Sequence, residues 1–279
     1  MLFNLQALLV LPVATGCILA ALIGIRAMLG KQPRARSDQP AMLLVRGGEV
    51  LAACLLGGAT ATAGGSTWSD VAVGTLASAA LCIAAQLLAT GVGLGLLLGR
   101  NLAAELTKGN TAVGIVAAGY DVAVALIVSQ SLAGSTQNEL VPNLAFCALG
   151  FAALLALVAV LRALTPWDDA AQLRSANSAA ALAHAGMTLA VGLLVSHATS
   201  GAFDGWTASL RAFGEVVAFA LLLVPIRIGI VQGILLGGGL RWRGGPLDQL
   251  VGEQRHTGVA ALEAAALVGG ALALRAVVG

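Results

Sequence analysis

The chain has 279 residues, of which 58% are hydrophobic and only 10% are charged, and its mean hydropathy is +0.92. Water-soluble domains carry about 25% charged residues, so this composition excludes a protein that exposes most of its surface to water. The formal net charge is +2 and the sequence has no basic stripe with interleaved aromatic residues, so we expect no nucleic-acid partner. The composition predicts an integral membrane protein whose immediate partners are membrane lipids.

A helix needs about 20 apolar residues to cross the hydrocarbon core of a bilayer, and eight stretches of the chain meet this length. The segments between them are short and rich in turn-forming residues. The expected fold is therefore an all-α polytopic membrane protein, a bundle of about eight transmembrane helices. The predicted spans are Leu5–Met28, Leu43–Ala63, Val71–Leu98, Thr111–Leu132, Leu144–Leu164, Ala176–Ser196, Gly214–Leu236 and Thr257–Val278.

The positive charges predict the orientation of the bundle. Twelve of the 15 lysine and arginine residues lie at or between spans one and two, three and four, five and six, and seven and eight. They are Arg26, Lys31, Arg34, Arg36, Arg46, Arg100, Lys108, Arg162, Arg174, Arg241, Arg243 and Arg255. Because positively charged loops stay in the cytoplasm, both termini are predicted to be periplasmic.

Glycines recur with a period of four residues at the ends of two spans. Span three ends with Gly91, Gly95 and Gly99, and span seven ends with Gly229, Gly233 and Gly237, which lie 138 residues later. Such a period gives a smooth helix face for packing, either within the chain or against a second copy of it. The spacing predicts two parallel repeats of four spans, residues 1–140 and 141–279, an arrangement known from some transporters.

The helix starts that follow the charged loops also resemble one another. The stretch Asn110–Gly119 matches Asn177–Gly186, and the stretches His256–Ala265 and Gly48–Gly57 fit the same frame. Each half is then open to a further division into two hairpins of two spans.

The stretch Glu105–Tyr120, which reads ELTKGNTAVGIVAAGY, resembles the signature of the bacterial domain-of-unknown-function 350 (DUF350) family, the YjfL-like inner-membrane proteins. In that family a charged cytoplasmic loop leads through an asparagine into an Ala/Gly-rich helix. A single family domain has about four spans, so the resemblance implies a tandem pair in the bacterial inner membrane. The second copy departs from the pattern where His256 replaces the asparagine and where the 242–255 loop is longer.

Catalytic and metal-binding motifs are scarce. The sequence contains no HExxH, Walker A or GxSxG motif, and its four cysteines form no CxxC pair. The histidines His184, His197 and His256 are far apart, which makes a metal site unfavourable. We therefore expect no enzymatic activity, no metal and no cofactor.

Four ionisable residues fall at similar depth within the predicted spans, namely Asp121, His184, Arg227 and Glu263. At about 1.5 Å of rise per residue they lie roughly 10–15 Å from the cytoplasmic ends of their helices. Charge in a span is costly and marks a functional site by default, but a structural ion pair between Arg227 and Glu263 or Asp121 would explain it equally. Pro225 is expected to kink span seven beside this cluster.

Two functions follow from this pattern. In the first, the four residues line a pathway for a proton, a cation or a small charged solute. In the alternative, the protein does not transport and instead scaffolds or anchors a cytoplasmic envelope-stress partner through its basic loops. The sequence leaves open whether the chain forms a homo-oligomer.

Overall fold

A computed structural model describes residues 5–28, 39–62, 68–88, 93–95, 102–132, 140–201 and 203–278, and every regular element in these ranges is helical. Gly91, Gly99 and the loop cations Lys31, Arg34, Arg36 and Arg100 lie outside the described residues. In chain order the helices are α1 (Leu5–Met28), α2 (Pro40–Thr62), α3 (Trp68–Leu88), α4 (Leu102–Thr107), α5 (Thr111–Leu132), α6 (Leu140–Ala163), α7 (Asp169–Arg174), α8 (Ser178–Ala198), α9 (Trp206–Leu235), α10 (Pro246–Asp248, continued as a π-helix over Gln249–Glu253) and α11 (Thr257–Val278).

The described chain has six helices that are long and apolar enough to cross a membrane. They cover Pro40–Thr62, Thr111–Ser131, Val141–Ala163, Ser178–Ala198, Trp206–Leu235 and Thr257–Val278. Shorter apolar segments, Leu9–Ile25 and Ala72–Leu88, lie within α1 and α3. The structure agrees with a multi-pass, all-helical membrane protein, and the count of eight spans stays a prediction.

The helix boundaries differ clearly from the predicted ones at the start of α9. The sequence predicts this span from Gly214, but the helix begins at Trp206. The added turns carry Arg211, whose side chain forms an exposed ion pair of 2.8 Å with Glu215, four residues later in the predicted span. Charges paired along one face support a helix, so the polar residues extend α9 instead of ending it.

Four helices, α2, α5, α8 and α11, form a row at the centre of the structure. The most extensive helix–helix contacts in the described part of the chain join α2 to α5, α5 to α8 and α8 to α11. These four helices are the second members of four successive hairpins. The row therefore favours the division of each half into two hairpins.

Each contact within the row places a glycine against an alanine of the next helix. A Cβ built on Gly48 would lie 2.7 Å from Ala118 Cα, and one on Gly119 would lie 2.9 Å from Ala185 Cβ. A Cβ on Gly186 would lie only 2.3 Å from that of Ala264. A side chain at these positions would clash, so glycine allows the backbones to approach closely.

The glycine contacts also correct the alignment of the first hairpin with the other three. The sequence aligns Gly48 with Asn110, but α2 begins at Pro40, directly after Gln39. In the structure Gln39 occupies the place of Asn110, and Gly48 the place of Gly119. Gln39 stands where two of the other starts have asparagine, so a pattern based on asparagine does not detect this helix start. Pro40 occupies the first helical position, where no backbone N–H is required.

The starts of α5, α8 and α11 share one capping arrangement. In each case a residue with positive φ, Gly109 (79°), Ala176 (56°) or Arg255 (55°), follows a short helix and precedes the capping residue. The oxygen Oδ1 of the capping asparagine accepts from the backbone N–H three residues later, at 3.3 Å for Asn110 and 3.2 Å for Asn177. These bonds satisfy N–H groups that have no partner within the helix.

His256 performs the same task with an imidazole nitrogen. Its Nδ1 accepts from the N–H of Val259 at 3.3 Å. The departure from the family pattern at this position therefore preserves the cap.

The capping asparagines also join successive hairpins. Asn110 Nδ2 donates to the carbonyl oxygen of Leu173 at 2.9 Å, and Asn177 Nδ2 donates to that of Val251 at 3.1 Å. Each acceptor lies in the connection that leads into the next helix of the row. The caps thus fix the positions of neighbouring hairpins relative to one another along the bundle axis. We call the end of the bundle that carries these caps the cap end.

Candidate functional site

A buried ion network surrounds Arg227 on α9. Its Nε donates to Glu263 Oε1 on α11 at 2.6 Å, and its Nη2 donates to Asp248 Oδ1 on α10 at 2.7 Å. The side chains of the two carboxylate residues are 0% and 2% exposed, and that of Arg227 is 7% exposed. The predicted contact between Arg227 and Glu263 is thus present, and Asp248 adds a second carboxylate that the sequence did not indicate.

Pro225 shapes the helix beside this network. A 3₁₀ turn covers Ala220–Leu222, and a π-helix begins at Ile226, directly after the proline. Proline removes one backbone donor and its ring clashes with a carbonyl of the preceding turn, so the regular α-helical pattern is interrupted here. Wider π-helical turns then carry Arg227 into the bundle.

A second buried arginine, Arg162, lies near the end of α6. Its Nε donates to Asp169 Oδ2 at 2.8 Å and its Nη2 bonds to Asp169 Oδ1, so the carboxylate at the start of α7 accepts both. The Trp167 ring centroid lies 5.7 Å from the guanidinium carbon, and the indole N–H donates to Asp169 at 3.1 Å. Within the described residues, Nη1 of Arg162 is buried and has no hydrogen-bond partner.

Arg162 borders a cavity of about 390 Å³ between α5, α6 and α8. The apolar part of its wall is formed by Gly93, Leu155, Val158, Ala159, Ala163 and Ala170. Its polar part consists of Asp168 and Asp169 beside Arg162, together with Tyr120 and His184 deeper in the bundle. The cavity therefore extends from the α6–α7 turn at the cap end toward side chains within the spans.

Tyr120 and His184 form the inner polar end of the cavity. His184 Nε2 lies 3.5 Å from the tyrosine hydroxyl oxygen, and the ring centroids are 5.8 Å apart. His184 is 1% exposed and Tyr120 is 2% exposed. Nδ1 of His184 is buried without a hydrogen-bond partner in the described part of the chain.

The third and fourth hairpins carry corresponding polar groups. Each has an aspartate eight positions before its cap and an ionisable residue seven positions after it. Each also has an arginine on its first long helix, but Arg162 lies one residue before the end of α6 and Arg227 lies eight residues before the end of α9. The third hairpin has Arg162, Asp169 and His184, and the fourth has Arg227, Asp248 and Glu263. The fourth group is closed by the Arg227–Glu263 bond, whereas the third group borders a cavity.

Asp121 belongs to neither group. It is 0% exposed on α5, one residue after Tyr120, and its backbone carbonyl accepts from Gln86 Nε2 of α3 at 3.4 Å. The four predicted residues are thus divided between the Arg227 network, the cavity and the contact of α5 with α3. Roughly equal depth did not bring all four residues together, because depth gives no direction around a helix.

The predicted glycine faces differ from the packing that is present. A Cβ on Gly95 or Gly229 would meet no atom within 4 Å, and one on Gly233 would meet only Ile228 O and a Leu240 side-chain atom. Gly237 has φ +63° and follows the end of α9, so it does not lie on a helix face. Close helix contacts are made instead by other glycines, among them those of the central row and Gly150 of α6.

Sequence reasoning missed Arg162, Asp169 and Asp248 as site residues. Arg162 was counted among the cations that set topology, and the two aspartates fall in segments that were predicted as loops. Their partners are 7 and 21 residues away in sequence. The sequence signal that remains is the repeated order of arginine, aspartate and ionisable residue in two successive hairpins.

In the described residues, no group of three or more His, Cys, Asp or Glu side chains has an arrangement that would hold a metal ion.

Comparison with known families identifies two tandem matches. Residues 5–132 and 135–278 each match the family described as Domain of Unknown Function (DUF350). The chain therefore belongs to this family and contains two copies of its domain. Comparisons with curated proteins and with solved structures give no significant match.

Proposed function

We propose that this tandem DUF350 protein provides a membrane pathway for a proton, a cation or a small charged solute. The observation that carries the proposal is the cavity that extends from the α6–α7 turn to the buried residues His184 and Tyr120. Buried polar side chains in a membrane bundle are costly and typically line a route for substrate or ions. A purely structural bundle would have no need of a cavity of about 390 Å³ beside them.

A second cavity supports a pathway through the same hairpin. It has a volume of about 250 Å³ and lies at the opposite ends of α6 and α8, beside Asn143, Thr199 and Asp204. Between the two cavities these helices bear buried apolar residues, including Leu154 and Leu194. A pathway through this hairpin would have to open the apolar stretch between the two cavities.

The Arg227 network supplies a charged region next to this route. Arg227 borders a small pocket together with Leu161 and Leu164 at the end of α6, so the network lies beside this helix. Glu263 Oε2 is buried and has no hydrogen-bond partner in the described chain. The network thus places one guanidinium against two buried carboxylates, and charged groups of this kind border ion routes in membrane bundles.

The proposal can be tested by currents from proteoliposomes on a solid-supported membrane. Steps of pH, potassium and hexanoate cover the three classes of charge carrier. We expect wild-type protein to give a current above that of protein-free liposomes for at least one step. Ala159→Phe should reduce this current, because Ala159 lines the cavity and the new ring would narrow it.

Ala156→Phe is the matched control. Ala156 is an exposed alanine of the same helix that does not line the cavity, so its substitution should leave the current unchanged. Wild-type currents that equal the protein-free background for all three steps would refute the pathway. The scaffold alternative would then be favoured, and exchange of the cytoplasmic loops should impair function more than any change in the bundle.

A further inference from the structure

The incomplete bonding of Arg162 indicates what the cavity binds. Its side chain is 5% exposed, and Asp169 accepts from Nε and Nη2. Nη1 is buried and has no hydrogen-bond partner among the described residues. A guanidinium nitrogen can only donate, so its partner has to be an acceptor. A buried donor requires an acceptor, and the residue borders a cavity large enough to hold one.

The fourth hairpin shows which acceptor the arrangement takes. There, Arg227 bonds to the aspartate of the short helix and also to the carboxylate of Glu263. The corresponding position in the third hairpin holds His184, so the chain itself supplies no second carboxylate at that position. A carboxylate from outside the chain would complete the third group in the way that Glu263 completes the fourth.

The rest of the cavity restricts the ligand further. Leu155, Val158 and Ala159 form an apolar wall, which suits a hydrocarbon body. Asp169 already accepts from Nε and Nη2 of Arg162, so the cavity offers one remaining guanidinium nitrogen and therefore suits a ligand with one carboxylate. A mainly apolar pocket with a few converging polar groups is typical of a small-molecule site.

We propose that the cavity bordered by Arg162, Tyr120 and His184 binds a small organic monocarboxylate with an apolar body. The carboxylate accepts from Arg162 Nη1, and the body lies along the α6 wall toward Tyr120 and His184. This assignment rests on the proposed function, because it names the solute class for the same cavity. Binding is measured without flux, however, so the two can fail separately.

Tyr120 offers a selective probe because it is the only tyrosine of the chain. Protein labelled with 3-fluorotyrosine and placed in lipid nanodiscs has one ¹⁹F resonance, and that resonance comes from the cavity. Titration with hexanoate should shift it saturably. Hexylammonium, which has the same chain and the opposite charge, should give no saturable shift.

Two variants test the geometry and one serves as control. His184→Glu places a carboxylate where the fourth hairpin has Glu263, and it should weaken hexanoate binding at least about tenfold by occupying Arg162. Ala159→Phe should weaken binding strongly by narrowing the cavity, without any change of charge. Ala156→Phe should bind hexanoate like the wild type.

Several results would overturn the assignment. A hexanoate shift that is linear and equally large in Ala159→Phe would show partition into lipid only. A saturable shift with hexylammonium that matches or exceeds that with hexanoate would show a cation site. Saturable binding of hexanoate together with no current in the liposome assay would refute the pathway while the binding site stands.

Discussion

The Arg227 network predicts that its three members contribute unequally to stability. With both carboxylates ionised, Arg227 contributes +1 and Asp248 and Glu263 contribute −1 each, so the buried group carries −1. Arg227→Gln would leave two buried carboxylates and a charge of −2. Glu263→Gln would leave a neutral pair of Arg227 and Asp248.

The expected magnitudes follow from this charge balance. Removal of one partner from a buried ion pair costs about 3–5 kcal/mol, and we expect Arg227→Gln to fall in this range. Glu263→Gln should cost only about 1 kcal/mol, because the amide oxygen can still accept from Arg227 Nε. The double variant Arg227→Gln with Glu263→Gln should be more stable than Arg227→Gln alone, since its buried charge returns to −1.

The measurement is the free energy of unfolding in dodecylmaltoside micelles titrated with SDS, followed by helical circular dichroism. Arg211→Gln is the matched control, because the Arg211–Glu215 pair is exposed and should contribute less than about 1 kcal/mol. Equal losses for Glu263→Gln and Arg227→Gln would refute the reasoning, since the two carboxylates would then not share one guanidinium.

Three further predictions concern packing and caps, and each is read from the same unfolding titration. Gly186→Ala should cost about 1–3 kcal/mol, because its Cβ would lie 2.3 Å from that of Ala264. Gly229→Ala is the control, because its Cβ would meet no atom within 4 Å, and it should cost less than about 0.5 kcal/mol. Replacement of the capping His256 by Ala should cost about 1 kcal/mol and replacement by Asn should restore most of it; equal losses would contradict the cap. A hydrogen bond from Lys108 lowers the pKa of Glu105, so Glu105 stabilises the fold above the unfolded-state pKa and loses this effect as the pH falls through the lower folded-state value. Glu105→Gln should remove that acid-dependent step, and an unchanged pH profile would contradict it.

Much of the fold follows from local properties of the sequence. Runs of apolar residues predict the helices, and the Asn110 and Asn177 starts predict the repeated hairpins, because both signals lie within one segment. The first hairpin was aligned nine residues out of place, since Gln39 and Pro40 begin α2 without the asparagine that marks the starts of α5 and α8. The glycines that pack helices are distinguished from those that do not only by which neighbour they face, and sequence spacing does not contain that information.

The site was less predictable because its bonds join distant elements. Arg227 and Glu263 were paired from depth and adjacency along the chain, and the structure brings them together at 2.6 Å. Asp248 was missed because a loop assignment implies exposure, yet α10 turns back and Asp248 is only 3% exposed. Equal depth also grouped Asp121 with the others, although depth gives no direction around a helix.

The repeated hairpins share one packing arrangement but differ in their polar groups. The central row of α2, α5, α8 and α11 is held by glycine contacts and caps that recur from hairpin to hairpin. Arg162 and Arg227 lie on helices outside the row; Arg227 bonds to the residue seven positions after its cap, and Arg162 shares a cavity with the corresponding residue. At that position Glu263 completes an ion network in the fourth hairpin, whereas His184 leaves a cavity in the third. If the ion network serves stability and the cavity serves binding, exchange of these two residues should exchange the properties of the hairpins. In the variant His184→Glu with Glu263→His, the fourth hairpin should lose stability and the third should lose hexanoate binding, while loss of neither would show that the two groups are not equivalent.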